Sequence, residues 1–211
     1  MVEPPAAAEP PPAPAPPPSA PEAYPVTLTI DYPDRDLDRL TSFFRIFTVI
    51  PIAIVIAAVS TGAGLLFLAP LLMILFRQKY PRWWYDWNLQ FQRFSTRVAA
   101  YFLLMDDRYP ATDEEQYVHL DFPYPDVERD LHRGLPLVKW FLAIPHYIVL
   151  LFLFIGVLFV AIFAWFAILF TGRYPRGAFD YVEGVLRWSA RVLGYAFILI
   201  TDRYPPFRLR P

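Results

Sequence analysis

Six arginines recur at matching positions in the two halves of the chain, and their chemistry suits phosphate binding. Arg93 and Arg97 lie one helical turn apart, and Arg187 and Arg191 repeat that spacing 94 residues later. A guanidinium group can hold phosphate oxygens in bidentate fashion, and an anionic cytoplasmic leaflet attracts each cation by about 1 kcal/mol. With the arginine of each Tyr-Pro-Arg turn, our candidates for binding lipid phosphate are Arg82, Arg93, Arg97, Arg176, Arg187 and Arg191.

Two aspartates favour a second interpretation of the same arginines. Asp86 lies seven residues before Arg93, and Asp180 lies seven residues before Arg187, on the same helical stripe. Such carboxylates could form internal ion pairs that fix each helix to its neighbours. The sequence leaves both interpretations open: structural ion pairing by Asp86 and Asp180, or arginines that bind lipid head groups.

The sequence contains no motif typical of a reaction centre. It has no cysteine, and its histidines, His119, His132 and His146, share no metal-ligand spacing. The nucleophile elbow, the phosphate-binding loop, the zinc-protease pair and the dinucleotide fingerprint are all absent from it. Asp106 and Asp107 resemble a carboxylate pair, but we expect them to pair locally with arginine or to cap a helix end. We therefore predict a non-enzymatic protein with no catalytic residue, no metal and no cofactor.

The elements that carry these residues occur twice, as a unit of roughly 90 residues. The Val-Ile-Pro that ends at Pro51 matches the Ala-Ile-Pro that ends at Pro145, and Lys-Tyr-Pro-Arg82 matches Arg-Tyr-Pro-Arg176 at the same offset of 94. Because polar positions keep this register too, we treat the two halves as tandem repeats. The predicted regions are a disordered Pro/Ala-rich tail over 1–23, a first membrane repeat over 24–113 and a second membrane repeat over 114–211.

Each repeat contains a long apolar stretch without a formal charge, over residues 46–76 and 140–170. At about 1.5 Å per residue, such a stretch is longer than one crossing of a bilayer core about 30 Å thick requires. Gly62 and Gly64 interrupt the first stretch, and Gly156 interrupts the second. We therefore predict a hairpin of two short membrane helices in each repeat, with a single tilted helix as the alternative.

The charges on either side of the stretches predict an orientation in the membrane. Because no cation lies at the uncharged tips, the positive-inside rule places the other ends, and both termini, in the cytoplasm. We expect Arg45 and Lys139, at the entry points, to extend toward the lipid head groups. After each stretch, residues 83–105 and 178–200 show the periodicity of an amphipathic helix, which we place along the membrane interface.

Two short segments before the apolar stretches alternate apolar with polar or small residues. These are residues 26–30 and 118–122, and that alternation is typical of half-buried strands. If a two-fold axis relates the repeats, the strands could pair at the cytoplasmic face, with His119 on the exposed side. The predicted fold class is an all-α integral membrane protein with this small two-stranded β pairing.

Three segments of the second repeat carry a resemblance to a known family. They are Ala161-Ile-Phe-Ala-Trp-Phe-Ala-Ile-Leu-Phe-Thr-Gly-Arg-Tyr-Pro-Arg176, Glu183-Gly-Val-Leu-Arg-Trp-Ser189 and Thr201-Asp-Arg-Tyr-Pro-Pro206. With them, residues 24–207 resemble the bacterial membrane-protein family catalogued as domain of unknown function 4389, more loosely in the first repeat. The resemblance implies an integral membrane protein of two modules, found mainly in actinobacteria and relatives. It implies no catalytic residue.

Composition and resemblance together lead to a functional hypothesis. Only 18% of the residues are charged, and the formal net charge of −1 makes nucleic acid an unexpected partner. We predict a multi-pass protein of the bacterial cytoplasmic membrane that serves as a non-enzymatic accessory or scaffold subunit. Its expected partners are anionic membrane lipids and a larger membrane-protein complex or further copies of itself. A transporter or lipid-handling protein is the alternative.

Overall fold

The computed structural model describes residues 24–63, 68–112 and 114–211. The predicted proline-rich tail over 1–23, and Gly64 in the predicted first hairpin, lie outside this part of the chain. The described residues form a mainly helical protein with one small sheet. The first repeat contains β1 (Thr27–Ile30), α1 (Arg39–Phe43), α2 (Arg45–Thr48), α3 (Ile50–Ala63), α4 (Leu68–Arg77) and α5 (Arg82–Phe102). The second contains β2 (Val118–Asp121), α6 (Val127–Asp130), a 3-10 turn (Leu135–Leu137), α7 (Lys139–Leu142), α8 (Ile144–Thr171), α9 (Arg176–Leu193) and a π-helical turn (Gly194–Ile198).

The two predicted strands pair, as an antiparallel sheet in which Leu28 lies directly opposite Leu120. Both leucines are buried, because successive side chains of a strand point to opposite faces and the leucine face covers the core. His119 lies on the other, half-exposed face, where its Nε2 is 3.0 Å from Oδ2 of Asp31. The sequence prediction of a strand pair with His119 on its polar side is confirmed.

Each strand packs against a helix of the other repeat. Strand β1 of the first repeat packs against α9 of the second, and β2 of the second packs against α5 of the first. Helix α1 also crosses over, because it packs against α8, where Nε1 of Trp165 donates to the carbonyl of Ser42 at 3.1 Å. The backbone N–H of Leu37 donates to the carbonyl of Gly172 at 2.7 Å. The two repeats therefore build one interlocked structure.

The second apolar stretch forms one continuous helix, α8, so the prediction of a hairpin is wrong here and the single-helix alternative is the observed structure. Gly156 does not make a turn. A Cβ at this position would collide with the hydroxyl of Tyr181, which donates to the carbonyl of Leu153 at 3.0 Å. The glycine therefore allows α9 to approach α8 closely. Pro145 lies in the first turn of α8, where a proline costs no helical hydrogen bond.

The first apolar stretch is described as two helices, α3 and α4, and the residues between them lie outside the described part. Pro70 falls in the first turn of α4, where its missing N–H leaves no gap in the hydrogen bonds. The equivalent residue of the second repeat is Ala164, which is buried in the middle of α8. A proline therefore stands in the first stretch where the second has a buried alanine.

Helix α8 is long and apolar enough to cross a membrane, and no other helix in the described ranges passes the same test. Only 17% of its most apolar window is buried against the rest of the protein. Large apolar side chains therefore cover its outer face, among them Phe152, Phe159, Phe163 and Phe170.

The predicted amphipathic helices after each apolar stretch are α5 and α9, and each begins one residue after a Tyr-Pro pair. Pro81 and Pro175 are in extended conformation at the N-terminal boundaries, which ends the preceding segment and sets the direction of the new helix. After the helices, Leu104 and Leu199 both adopt the left-handed backbone conformation with φ of 66° and 64°. Leucine rarely adopts this conformation, so the packing around each residue must hold it there.

Candidate functional site

Two of the candidate arginines bind the paired strands from opposite sides. Nε of Arg93 donates to the carbonyl of Leu120 at 2.8 Å, and Nε of Arg187 donates to the carbonyl of Leu28 at 2.7 Å. Since Leu28 and Leu120 oppose each other in the sheet, the two arginines make the same contact across a pseudo-two-fold axis. Each arginine belongs to one repeat and its carbonyl to the other, so these bonds join the repeats.

The next pair of arginines, Arg97 and Arg191, is buried. Nη1 of Arg97 donates to the carbonyl of Glu114 at 2.7 Å, and both Nη1 and Nη2 of Arg191 lie 3.1 Å from the carbonyl of Arg210. Burial, together with the nearby charge of Arg187, lowers the pKa of Arg191 to about 10. These arginines fasten the segment that follows each helix, and they are not exposed cations.

Two other candidates, Arg82 and Arg176, lie at the surface with the aspartates. Nε of Arg82 is 3.4 Å from Oδ1 of Asp86, and Nε of Arg176 is 3.3 Å from Oδ1 of Asp180. The predicted pairing of each aspartate with the arginine seven residues later is therefore wrong in its partner. The observed partner precedes the aspartate by one helical turn. Exposed pairs of this kind contribute roughly 0.3–0.5 kcal/mol.

The expectation that Arg45 and Lys139 extend to the head groups is also wrong, because both are buried, with 2% and 0% of their surface exposed. Nη1 of Arg45 donates to the carbonyl of Asp106 at 3.0 Å, and the guanidinium carbon lies 3.8 Å from the centre of the Tyr101 ring. The left-handed turn at Leu104 precedes the carbonyl that accepts this bond. A carbonyl oxygen and the face of an aromatic ring both attract a cation, which reduces the cost of burying it.

Lys139 makes the equivalent contacts in the second repeat. Its Nζ donates to the carbonyl of Thr201 at 2.7 Å and lies 5.2 Å from the centre of the Tyr195 ring. Nζ also lies 2.7 Å from Oδ1 of Asp202, so the buried ammonium has a carboxylate partner. Burial lowers the pKa of Lys139, and the carboxylate of Asp202 partly offsets that effect.

The carboxylates beside Arg45 are bound to other groups. Asp106 accepts from Arg108 and Arg35, and Asp107 accepts from Arg35 and from the backbone N–H of Asp38. Burial alone would raise the pKa of Asp107, but the hydrogen bonds from Arg35 and from the Asp38 amide outweigh it and lower the pKa. Asp106 pairs locally with Arg108, but the expected local pairing is wrong for Asp107, whose arginine lies 72 residues away in the sequence.

Nε and Nη2 of Arg45 therefore have no hydrogen-bond partner among the described residues. Arg45 also lines an apolar cavity of about 410 Å³ between the end of α5 and one face of α8. Sequence reasoning missed this site, although one signal was present. That signal is the offset of 94, at which Arg45 aligns with Lys139. In the structure, Asp202 pairs with Lys139, whereas Asp107 pairs with Arg35 instead of Arg45. The cavity is walled by Ile46, Phe102, Leu158, Ala161, Ile162 and Trp165, among others.

The three histidines are well separated. His146 is buried, its Nδ1 accepts from Nε1 of Trp188 at 3.1 Å, and its ring stacks on Phe207 with 4.0 Å between ring centres. His132 lies near Asp202, which accepts from its backbone N–H at 2.6 Å. In the described ranges, no three histidine, aspartate or glutamate side chains come together in a way that could hold a metal ion.

The fold and these contacts define a class of protein: a mainly helical chain of two interlocked repeats, with one helix long and apolar enough to cross a membrane. The family described as domain of unknown function 4389 matches residues 39–112 and 136–208, one copy in each repeat. The chain therefore belongs to that family, and the resemblance seen in the sequence is confirmed. Neither a curated protein nor a solved structure matches the chain.

Proposed function

We propose that this protein is a membrane-bound accessory or scaffold subunit without enzymatic activity, held in the bilayer through α8. The observation that carries the proposal is the low burial of α8, of whose most apolar window 17% is covered by the rest of the protein. A core helix of a soluble protein would be mostly buried. Each leucine, isoleucine, phenylalanine or valine near the bilayer centre favours insertion by about 0.3–0.6 kcal/mol.

The first repeat supports the same placement. Ile54 of α3 and Phe76 of α4 are both largely exposed, although they belong to helices made almost entirely of apolar residues. We propose that both apolar stretches are embedded in the bilayer and that the protein is multi-pass. The bond from Lys139 to the carbonyl of Thr201 brings the chain after α9 back to the side where α8 begins. The proposal that both termini and the sheet lie on the cytoplasmic side of a bacterial membrane rests on the positive-inside rule, because Leu37 of the first repeat binds Gly172 at the other end of α8.

The absence of catalytic activity is proposed from what the polar groups do. The buried arginines bind backbone carbonyls, the carboxylates at 106 and 107 bind arginines, and His146 binds Trp188. Groups that hold the fold together in this way are poor candidates for proton transfer or nucleophilic attack. A large apolar surface on a body whose polar groups mainly hold the fold together is suited to packing within a membrane assembly. The proposed partners are a larger membrane complex or further copies of this chain, with anionic lipid at Arg82 and Arg176.

Two measurements on bacterial membranes test the proposal. The protein should stay in the membrane fraction after alkaline washing and leave it only with detergent. After mild solubilisation and cross-linking, it should migrate as a complex much larger than its own 24.5 kDa. Release by alkali alone contradicts the membrane placement, whereas a single uncomplexed chain in detergent contradicts the scaffold role.

A lipid-handling role is the second candidate function. The observation that favours it is the apolar cavity beside Arg45, because a pocket with one cation and many apolar groups is complementary to an amphiphile.

A further inference from the structure

The strongest unexplained feature of the molecule is the cavity beside Arg45. Its volume of about 410 Å³ falls in the range of small-molecule sites, and its described walls are almost entirely apolar. Arg45 is the charged residue among those walls. The cavity is open on the side of α8, because Leu158, Ile162 and Phe166 line it and are themselves largely exposed.

In the described part of the chain, Arg45, the cation in this cavity, lacks the carboxylate partner that its counterpart Lys139 has. Lys139 reaches Oδ1 of Asp202 at 2.7 Å, but the equivalent Asp107 turns toward Arg35 and the amide of Asp38. Nε and Nη2 of Arg45 are left buried without an acceptor among the described residues. A buried donor without an acceptor is costly, so an acceptor brought by a ligand would stabilise the site.

We infer that the cavity binds one lipid with a single anionic head group, which accepts hydrogen bonds from Arg45. The acyl chain lies along the face of α8 formed by Leu158, Ala161 and Ile162, in contact with Phe102 on the opposite wall. Because Nε and Nη2 are covered in the free protein, the head group reaches them when side chains at the cavity mouth move aside. The inference rests on the proposed membrane location of α8, which brings lipid to the cavity opening.

The anionic group can be a phosphate or a carboxylate, since a guanidinium binds both with similar geometry. The carbonyl of Asp106 and the Tyr101 ring already contact Arg45, and the ligand supplies acceptors for its remaining donors. The exposed candidates Arg82 and Arg176 differ in this respect, because each already has an aspartate within 3.4 Å. Binding at Arg45 would therefore be specific, unlike the general attraction of surface arginines to an anionic bilayer.

The test uses quenching of Trp165, which lines the cavity, by bromine-labelled lipids added to the full chain in a non-ionic detergent. The Trp165 signal is the difference between the chain and its Trp165→Phe variant. We expect bromine-labelled phosphatidylglycerol or a bromine-labelled fatty acid to quench at about one tenth of the mole fraction that phosphatidylcholine needs. Quenching by only one of the two identifies the head group as phosphate or carboxylate.

Three variants assign the preference to the cavity. Arg45→Gln should remove most of the tenfold preference, whereas Arg173→Gln, the same change at an exposed arginine outside the proposed lipid sites, should leave it intact. Ala161→Phe should fill the cavity and abolish selective quenching while Arg45 is retained, which keeps the test valid if Arg45→Gln fails to fold. Circular dichroism checks that each variant keeps its helical content.

Equal quenching by all three lipids would overturn the inference and leave the membrane placement standing. A preference that survives both Arg45→Gln and Ala161→Phe would also overturn it. If none of the lipids quenches Trp165, the membrane placement of α8 is contradicted together with the site.

Discussion

Both repeats place a cation at the same buried position, but the two cations have different partners. In the second repeat, Lys139 pairs with Asp202 and needs nothing from outside. In the first, Arg45 contacts the Tyr101 ring and one carbonyl. The nearby Asp106 and Asp107 pair with Arg35 and Arg108 instead. The comparison shows that two copies of one fold can differ in whether the protein itself supplies all the acceptors of a buried cation.

The apolar stretches differ in a second way. Ile144–Thr171 is one helix, whereas the equivalent residues of the first repeat form Ile50–Ala63 and Leu68–Arg77. Pro70 stands where the continuous helix has the buried Ala164, and a proline in a helix interior costs about 3 kcal/mol. The second repeat therefore supplies a helix long and apolar enough to cross a membrane, and the described apolar helices of the first repeat are shorter.

The largest predicted effect comes from the buried ion pair. Lys139→Met should lower the free energy of unfolding by about 3–5 kcal/mol, because it leaves Asp202 without its cation, with only the His132 amide as donor among the described residues, and leaves the Thr201 carbonyl without its donor. Arg45→Met removes a cation that lacks a carboxylate and should cost about 1–2 kcal/mol. Denaturant unfolding of both variants in the same detergent measures the difference. Equal losses would show that the two sites are neutralised alike.

The close helix contact in the second repeat gives the next largest effect. Gly156→Ala should cost about 1–3 kcal/mol, since the added methyl group collides with the hydroxyl of Tyr181. Gly177→Ala is the matched control, because nothing lies within 4 Å of its added Cβ and alanine favours the helix. Thermal unfolding should show a lower midpoint for the first variant and an unchanged or higher one for the second. A harmless Gly156→Ala would mean that α8 and α9 do not pack as described.

Much of this fold follows from the sequence, and the exceptions have physical reasons. The repeats, the strand pair and the helices at 82–102 and 176–193 follow from local periodicity and from the Tyr-Pro boundaries. The continuity of α8 does not, because a glycine marks a turn and a close contact equally well, and only Tyr181 distinguishes them. The burial of Arg45 depends on turns at Leu104 and on partners more than 60 residues away, which no local pattern contains.

The candidate site was predicted less completely. Sequence reasoning named six arginines and missed Arg45. It could not anticipate that Arg187 binds the Leu28 carbonyl of the first repeat, or that Arg191 binds the carbonyls of Arg208 and Arg210. Spacing along one helix gives no information on such acceptors.

A smaller effect is expected for His119, which has no titrating counterpart in the first repeat. Hydrogen bonds to Asp31 and Glu115 raise the pKa of His119. A raised pKa stabilises the folded state below the unfolded value of about 6.5, and that contribution is lost as the pH rises through the folded pKa. Because the pair is exposed, the free energy of unfolding should fall by less than about 1 kcal/mol between about pH 5 and pH 8. His119→Thr should remove this fall, and an identical pH profile for the variant would contradict the assignment.

The smallest effect is expected where the repeats are most alike. Asp86→Asn and Asp180→Asn each remove one exposed ion pair and should each cost roughly 0.3–0.5 kcal/mol. The losses should be equal within error and should shrink in high salt. A much larger loss in one variant would show that its aspartate has a buried partner in the membrane.

The most direct test of the account is the accessibility of α8 in sealed bacterial membranes. The chain has no cysteine, so single cysteines can be introduced at Phe159 and Phe163 on the outer face of α8 and at Glu115 on the polar side of the sheet. A water-soluble maleimide should label the cysteine at position 115 from the cytoplasmic side only, and the cysteines at 159 and 163 only after detergent is added. Equally fast labelling of all three positions in intact membranes would contradict the placement of α8 in the bilayer.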